Sequence, residues 1–188
     1  MNNFLESAIK QFEYYKSLGE KTFHQIDEEK LFWQYNAESN SIATIVKHLW
    51  GNMLSRWTDV LTSDGEKDWR NRDAEFENNI VTKDELLNKW NAGWQCLFDA
   101  LHSLNEDDLT KLIYIRNQGQ TVVEAINRQL CHYSYHIGQI VFIGKMICNE
   151  QWASLSIPKG NSSIYNQEKF SQEKHKEHFT DEFIKPKP

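Results

Sequence analysis

The chain has 188 residues, which is about the length of one domain and enough for a substantial apolar core. Apolar residues make up 39% of it, aromatic residues 13% and charged residues 26%, a composition that excludes disordered and fibrous proteins and indicates a globular one. The formal net charge of −6 disfavours non-specific attraction to nucleic acid and to anionic membranes, so neither is expected as a partner.

Two amphipathic helices are predicted in the first third of the chain. Residues 3–26, NFLESAIKQFEYYKSLGEKTFHQI, have apolar side chains at spacings that a helix gathers on one side. Residues 38–61, ESNSIATIVKHLWGNMLSRWTDVL, open with Ser and Asn candidates for a helix cap and continue with an apolar face. The polar segment that follows, residues 63–79, has little periodicity and predicts a long loop.

Two further helices are predicted, with a short extended segment between them. Residues 81–104 carry an apolar helical face, and Thr82 stands three residues before Glu85, the spacing of a capping box. Residues 110–123, TKLIYIRNQGQTVV, are β-branched and aromatic around an Asn-Gln-Gly turn signal, which predicts a brief extended excursion. Apolar residues then recur at helical spacing over residues 122–147 and predict a long final helix.

These elements predict an all-α fold, a four-helix bundle with long inter-helix loops, over residues 1–150. The remaining residues, 151–188, contain a loop with Pro and Gly and then a segment of mixed charge, so we expect an irregular C-terminal tail on the surface. Its IPKGNS segment lacks the spacing of a phosphate-binding P-loop and is interpreted as a turn. No repeat of fixed period is visible, which disfavours a solenoid.

The location of the protein is predicted from what the sequence lacks. The first residues have neither the basic nor the apolar region of a signal peptide, and no apolar run is long enough to cross a bilayer. Cys96, Cys131 and Cys148 are widely separated and form no CxxC pair, so neither a disulfide framework nor a cysteine zinc site is expected. Each is interpreted as a small buried hydrophobe, and we expect a cytoplasmic protein.

The segment RQLCHYSYHIGQI, residues 128–140, places two histidines on a helix that otherwise predicts burial. His132 and His136 are four residues apart, so their imidazoles point the same way and can bind one small ion. A buried polar group without a partner costs about 1–3 kcal/mol, which makes two adjacent ones without a shared partner unfavourable. Spacing alone leaves two interpretations open, a metal site or histidines satisfied by solvent or core hydrogen bonds.

Side chains near this pair complete the candidate site. Helix two carries His48, a possible third ligand, because four-helix bundles build metal sites from facing helices. Asn52 and Gln129 lie one helical turn or less from these histidines and are our candidates for orienting hydrogen bonds.

The other four histidines are interpreted as surface residues. His24 and His102 lie near predicted helix ends, and His175 and His178 lie in the Lys- and Glu-rich tail.

Three segments around the histidines carry a resemblance to a known family. They are SIATIVKHLWGN around His48, TVVEAINRQLCHYSYHIGQIVFIGKM around His132 and His136, and WASLSIPKGNS after the last helix. The chain resembles the DinB/YfiT-like four-helix bundles over nearly its whole length, and in particular the branch called domain of unknown function 1572. The resemblance implies a bundle in which these three histidines bind one divalent metal ion.

The resemblance also implies a class of function. Members of the superfamily are similar to transferases and isomerases that use low-molecular-weight thiols, and to metal-dependent hydrolases. It therefore implies a metal-dependent enzyme, a homodimer, that activates such a thiol or water against a small-molecule substrate. The alternative is a non-catalytic module in which the metal clamps helices two and four. A substrate-sized pocket beside the ion favours the enzyme, and a site sealed by Trp50 or Trp94 favours the alternative.

The identity of the metal and of the catalytic groups is less constrained. Three imidazoles suit Zn or Ni best in our interpretation, and Fe, Co or Mn also fit the site. No predicted helix places a carboxylate at the three histidines, so no catalytic acid or base is assigned.

Overall fold

The computed structural model describes residues 3–184, and its four long helices are those predicted. Among these residues, no helix has both the length and the apolar composition that crossing a bilayer requires. The all-α bundle is confirmed. The helices and strands are α1 Asn3–Phe23, α2 Ile42–Trp57, α3 Lys83–Ser103, β1 Leu112–Ile115, β2 Gln118–Thr121, α4 Val122–Cys148, α5 Ser162–Phe170 and α6 Asp181–Ile184.

Side-chain hydroxyls fix the starts of three of these helices. The Ser41 hydroxyl accepts from the amide of Thr44 at the start of α2, and the Thr82 hydroxyl accepts from the amide of Glu85 at the start of α3. Thr121 caps α4 with a complete capping box, in which the Glu124 carboxylate accepts the Thr121 amide in return. The predicted cap residues are therefore correct, whereas the full reciprocal box belongs to α4.

Helix pairing places the histidine-bearing helices next to each other. α1 packs mainly against α4, and α2 packs mainly against α3 and also contacts α4. Aromatic side chains fill the centre, where the Trp94 ring meets those of Phe12 and Tyr133 at centroid distances of 6.4 and 6.0 Å. The Tyr133 hydroxyl accepts from Trp57 Nε1 and donates to Asn52 Oδ1, both at 3.0 Å, so these three polar side chains have partners, whereas Trp94 Nε1 is buried without one.

The predicted extended excursion is a two-stranded antiparallel hairpin. Its strands, β1 and β2, are joined through Arg116 and Asn117, whose φ angles are 54° and 62°. The Asp64 carboxylate accepts from the backbone amides of both residues, at 2.8 and 2.9 Å. This carboxylate holds the turn one position earlier than the Asn-Gln-Gly signal suggested, and it ties the hairpin to the segment that follows α2.

The C-terminal segment is more ordered than predicted. It contains α5 and α6, and Thr180 just before α6 is fully buried. His178, expected on the surface, is half-buried, and its Nε2 lies 3.0 Å from the Ser7 hydroxyl of α1. The segment packs on α1 because it also carries Phe179 and Phe183, whose rings contact Tyr14. Residues 185–188 of the predicted tail lie outside the described residues.

The cysteines match their predicted chemistry only in part. All three are free thiols, as expected. Cys96 and Cys148 are half-buried, but Cys131 is exposed, so its interpretation as a buried hydrophobe is wrong. The reason is its position on α4, where it faces solvent, away from the side of the helix that carries the buried Tyr133 and the half-buried Leu130.

Candidate metal centre

The three predicted ligands meet between α2 and α4. His48 lies near the middle of α2, and His132 and His136 lie one turn apart on the same side of α4. Nitrogen atoms of the three imidazoles all lie within 4.8 Å of one another. His48 and His136 are buried and His132 is half-buried. The three histidines are therefore close enough to hold a metal ion.

Each imidazole is oriented by an oxygen atom at its Nδ1. His48 Nδ1 lies 2.9 Å from the carboxylate Oε2 of Glu75. His132 Nδ1 lies 3.2 Å from Gln129 Oε1, and His136 Nδ1 lies 2.8 Å from Gln139 Oε1. These oxygens only accept hydrogen bonds, so all three Nδ1 atoms carry the proton.

The same tautomer leaves a lone pair on each Nε2, the nitrogen available to a metal. His48 Nε2 and His132 Nε2 lie 3.3 Å apart, which places two lone pairs face to face without a proton between them. His136 Nε2 is buried and has no hydrogen-bond partner. In a tetrahedral zinc site each ligand nitrogen lies about 2.0–2.1 Å from the ion, so two ligand nitrogens lie about 3.3 Å from each other. The nitrogens of His48 and His132 are thus spaced like two ligands of one metal ion.

The carboxylate that orients His48 comes from the loop and not from a helix. Glu75 lies in a short 3₁₀ helix, Asp73–Phe76, within the α2–α3 loop, residues 58–82. Arg70 in the same loop binds this carboxylate with two hydrogen bonds, Nε to Oε1 at 2.7 Å and Nη2 to Oε2 at 3.0 Å. Burial opposes ionisation of Glu75, but the hydrogen bonds from His48 and Arg70 outweigh it and lower its pKa.

The approach of this loop to α2 depends on a glycine. Glu75 is 4% exposed and lies directly against Gly51 of α2. A Cβ atom at residue 51 would collide with the Glu75 carboxylate. The absence of a side chain there lets the carboxylate reach His48, which is one turn away on the same helix.

Burial lowers the pKa of both α4 histidines. Burial is the main reason that the pKa of His132 falls to about 3, with a further lowering by the neighbouring His136 and His48. Burial and then His48 lower the pKa of His136 to about 4, although its contact with Gln139 acts in the opposite direction. Both side chains are therefore neutral near neutral pH, which is the form that binds metal.

A solvent-accessible space, which we call the histidine cleft, lies beside the three imidazoles and has a volume of about 510 Å³. The Phe76 ring stacks on His48 at 4.9 Å and the Tyr135 ring lies 4.1 Å from His136, and both residues line the cleft. Trp94 is buried in the core, and Trp50 lies beneath the ammonium group of Lys89. Neither tryptophan is among the described residues that line the cleft.

The two predicted orienting residues have different surroundings. Gln129 contacts His132 as expected, whereas the amide oxygen of Asn52 accepts from the Tyr133 hydroxyl. Sequence reasoning missed Glu75, because a polar loop gives no periodic signal. It also missed Gln139, although its position three residues after His136 on one helix could have indicated it.

The fold and the three histidines define a class of protein, the DinB/YfiT-like bundles with a histidine cluster between helices two and four. The chain belongs to the family described as "Protein of unknown function (DUF1572)", whose model matches residues 1–161. No curated protein and no solved structure gave a match.

Proposed function

We propose that the protein binds one divalent metal ion through the Nε2 atoms of His48, His132 and His136. The single observation that carries this proposal is the geometry of the cluster, in which three Nδ1 atoms face acceptors and ring nitrogens of the three histidines lie within 4.8 Å of one another. A protein pays to bury and align such groups, and a cation between them offsets that cost. Zn or Ni is the proposed native metal on the basis of the donor set, and Fe, Co or Mn is compatible with it.

Elemental analysis of protein purified without a histidine tag tests the metal site. We expect about one ion per chain in the wild type, a large loss in the His136→Ala variant, and none in the triple variant that also lacks His48 and His132. His102→Ala, which removes an exposed histidine of α3, is the matched control and keeps the metal. Wild-type stoichiometry in the triple variant would overturn the proposal.

The proposed activity is that of a metal-dependent transferase or hydrolase for small molecules, with a low-molecular-weight thiol or water as nucleophile. A divalent ion held by neutral imidazoles supplies Lewis acidity, which makes water or a thiol nucleophilic at neutral pH. The cleft of about 510 Å³ supports this activity, because it has the size of a small-molecule site and is lined by all three histidines.

The residues of this chain have defined parts in that chemistry. His48, His132 and His136 fix the ion, and Glu75 at His48 Nδ1 strengthens the basicity of that imidazole. Phe76 and Tyr135 lie against two of the imidazoles and form part of the wall of the cleft. Among the described residues, no Asp or Glu lines the cleft, so the general acid or base stays unassigned.

A panel of substrates tests the activity. Metal-loaded wild type is assayed with several thiols and a chromogenic electrophile, and separately with ester and amide substrates. We expect turnover that the His132→Ala variant lacks and the His102→Ala variant keeps. Equal rates in wild type and His132→Ala would exclude a metal mechanism.

The second candidate is a metal clamp without turnover. It is supported by the fact that the ligands come from two helices, so that an ion would join α2 to α4. A clamp predicts a large rise in thermal stability on metal loading and no activity across the substrate panel. An enzyme predicts turnover whatever the rise in stability.

A further inference from the structure

All five arginines of the sequence line the histidine cleft. They come from separate parts of the fold, namely α2, the α2–α3 loop, the hairpin turn and α4. The chain has three times as many lysines, and among the described residues none of them lines the cleft. The arginines are Arg56, Arg70, Arg72, Arg116 and Arg128.

The positive charge at the cleft exceeds the negative charge around it. Glu75 is bound by Arg70. A second carboxylate, Glu66, is shared by three guanidinium groups, with distances of 3.1 Å to Arg56, 3.4 Å to Arg70 and 3.3 Å to Arg116. Among the described residues, the five guanidinium groups thus have only two carboxylates as ion-pair partners, in a chain whose net charge is −6.

Two of the five arginines have no carboxylate partner among the described residues. The Arg72 guanidinium lies 5.1 Å from the centre of the Phe76 ring, and both Arg72 and Arg128 are exposed. Arg56 is different, because its Nη1 donates to the Gly65 carbonyl and to Glu66, and its Nε is buried without a hydrogen-bond partner. Arg72 and Arg128 form no ion pair with the described residues, so their donors are available to a ligand.

The use of arginine instead of lysine indicates what the ligand is. A guanidinium group presents several N–H donors in a planar fork that matches the two oxygens of a carboxylate or a phosphate, whereas an ammonium group acts as a point charge. Like charges gathered at one surface repel each other, and an anion between them removes that repulsion. Sixteen lysines elsewhere show that positive charge alone is not what the cleft selects.

We infer that the histidine cleft binds a small molecule bearing a carboxylate or phosphate group, held by Arg72 and Arg128. The volume of about 510 Å³ suits a small molecule, and the net negative charge of the chain disfavours a polyanion. This inference extends the proposed function, since the anion is the substrate on which the ion would act. The arginines select and position it, and the imidazoles hold the ion.

Calorimetric titration with matched anionic and neutral probes tests the inference. The probes are succinate, its neutral counterpart succinamide and inorganic phosphate, each titrated into zinc-loaded and into chelator-treated protein at low salt. The variants are Arg72→Gln, Arg128→Gln and the double variant. The control is Lys145→Gln, which removes the same charge from an exposed position of α4 that does not line the cleft.

We expect an anion to bind and succinamide not to bind, with at least tenfold weaker affinity in the double variant and no change in Lys145→Gln. Preference for succinate or for phosphate then identifies the acidic group. Equal binding of succinate and succinamide, no binding of either anion, or equal affinity in the double variant and the control would overturn the inference.

The two proposals fail separately in this experiment. Zinc binding with unchanged stoichiometry, together with no anion binding, leaves the metal site standing and removes the anionic substrate. If the chelator-treated protein binds the anion but takes up no zinc, the anion site stands and the metal site is excluded.

Discussion

At the scale of single residues, the tautomers of three imidazoles decide what the site can do. Three acceptors, one carboxylate and two amides, place the proton on Nδ1 and the lone pair on Nε2. The acceptors come from α4 for two histidines and from a loop for the third. The ligands are therefore aligned before any ion arrives, which reduces the entropy cost of binding it.

Gln139 offers the cleanest test of this alignment, because it is exposed and contacts His136 from the same helix. Gln139→Ala removes the acceptor at His136 Nδ1 and frees the ring to rotate. We expect metal affinity to fall about 10- to 100-fold, as for other residues that orient metal-bound histidines. Competition with a chromophoric chelator measures it. Lys145→Ala, also exposed on α4, is the control, and equal affinities in the two variants would contradict the role of Gln139.

The metal-free protein should lose stability in mild acid. The pKa values of about 3 for His132 and about 4 for His136 lie below the 6.5 of a free histidine. Below pH 6.5 these two histidines take up protons in the unfolded chain but not in the folded protein, so the free energy of unfolding decreases as the pH is lowered. Above pH 6.5 both side chains are neutral in both states, and they cause no pH dependence.

Urea unfolding of chelator-treated protein, between pH 6.5 and about 5, measures this loss above the range of the carboxylates. The control is the variant with both His132→Asn and His136→Asn, which should show a shallower decline. The same slope in both proteins would show that these two histidines are not the source.

At the scale of elements, the α2–α3 loop supplies the polar side chains that orient one of the histidines and anchor the hairpin. It supplies Glu75 to His48, Arg70 to Glu75 and Asp64 to the hairpin turn. The helices bring three nitrogens together, but the loop determines how one of them is oriented. Loops on a rigid scaffold commonly carry function in this way.

Replacing two glycines by alanine is predicted to change the stability in opposite directions, because only one of them lies at the contact between the loop and α2. Gly51→Ala places a Cβ atom against the buried Glu75 carboxylate, and we expect it to destabilise the protein by about 1–3 kcal/mol and to weaken metal binding. Gly138→Ala has no atom within 4 Å of the new Cβ in the middle of α4, and should stabilise by about 0.5–1 kcal/mol.

Urea unfolding and the chelator competition measure both variants. Weakened metal binding in Gly51→Ala alone would support the loop as part of the site. Unchanged metal binding in that variant would mean that metal affinity does not depend on the position of Glu75.

Much of this could be predicted from the sequence, and the remainder has a physical reason. The helices follow from apolar spacing, and the histidine triad follows from the i, i+4 pair together with the family resemblance. Glu75 could not be predicted, because 27 residues separate it from His48 and the loop between them has no periodicity. The arginines of the cleft come from four separate segments, so only the tertiary fold brings them together.

At the scale of the whole molecule, one face of α4 is unusually apolar for an exposed surface. Tyr135, Phe142 and Met146 are 53%, 64% and 46% exposed, and they lie on the same side of the helix as Gly138. Exposed apolar patches of this kind often mark interfaces between protein chains. We therefore still propose a homodimer, with this apolar face of α4 as its interface.

The homodimer can be tested by light scattering at micromolar concentration. We expect twice the chain mass of 22.3 kDa for the wild type and a shift to the single mass in Phe142→Glu. Phe170→Glu is the matched control, because Phe170 is 86% exposed on α5 and away from that face. A wild-type mass of 22.3 kDa rules the dimer out, and dissociation in both variants would place the interface elsewhere.

The division of labour between helices and loop also bears on how such a protein can change. The three nitrogens are fixed by helices that share the core, so altering them disturbs the packing of the domain. The carboxylate at His48 comes from a connecting segment that carries little of that core. Substitutions in this segment can therefore adjust the electron density on the imidazole, and with it the acidity of the centre, while the scaffold stays the same. On the proposed function, one bundle could in this way hold a metal ion at different Lewis acidities.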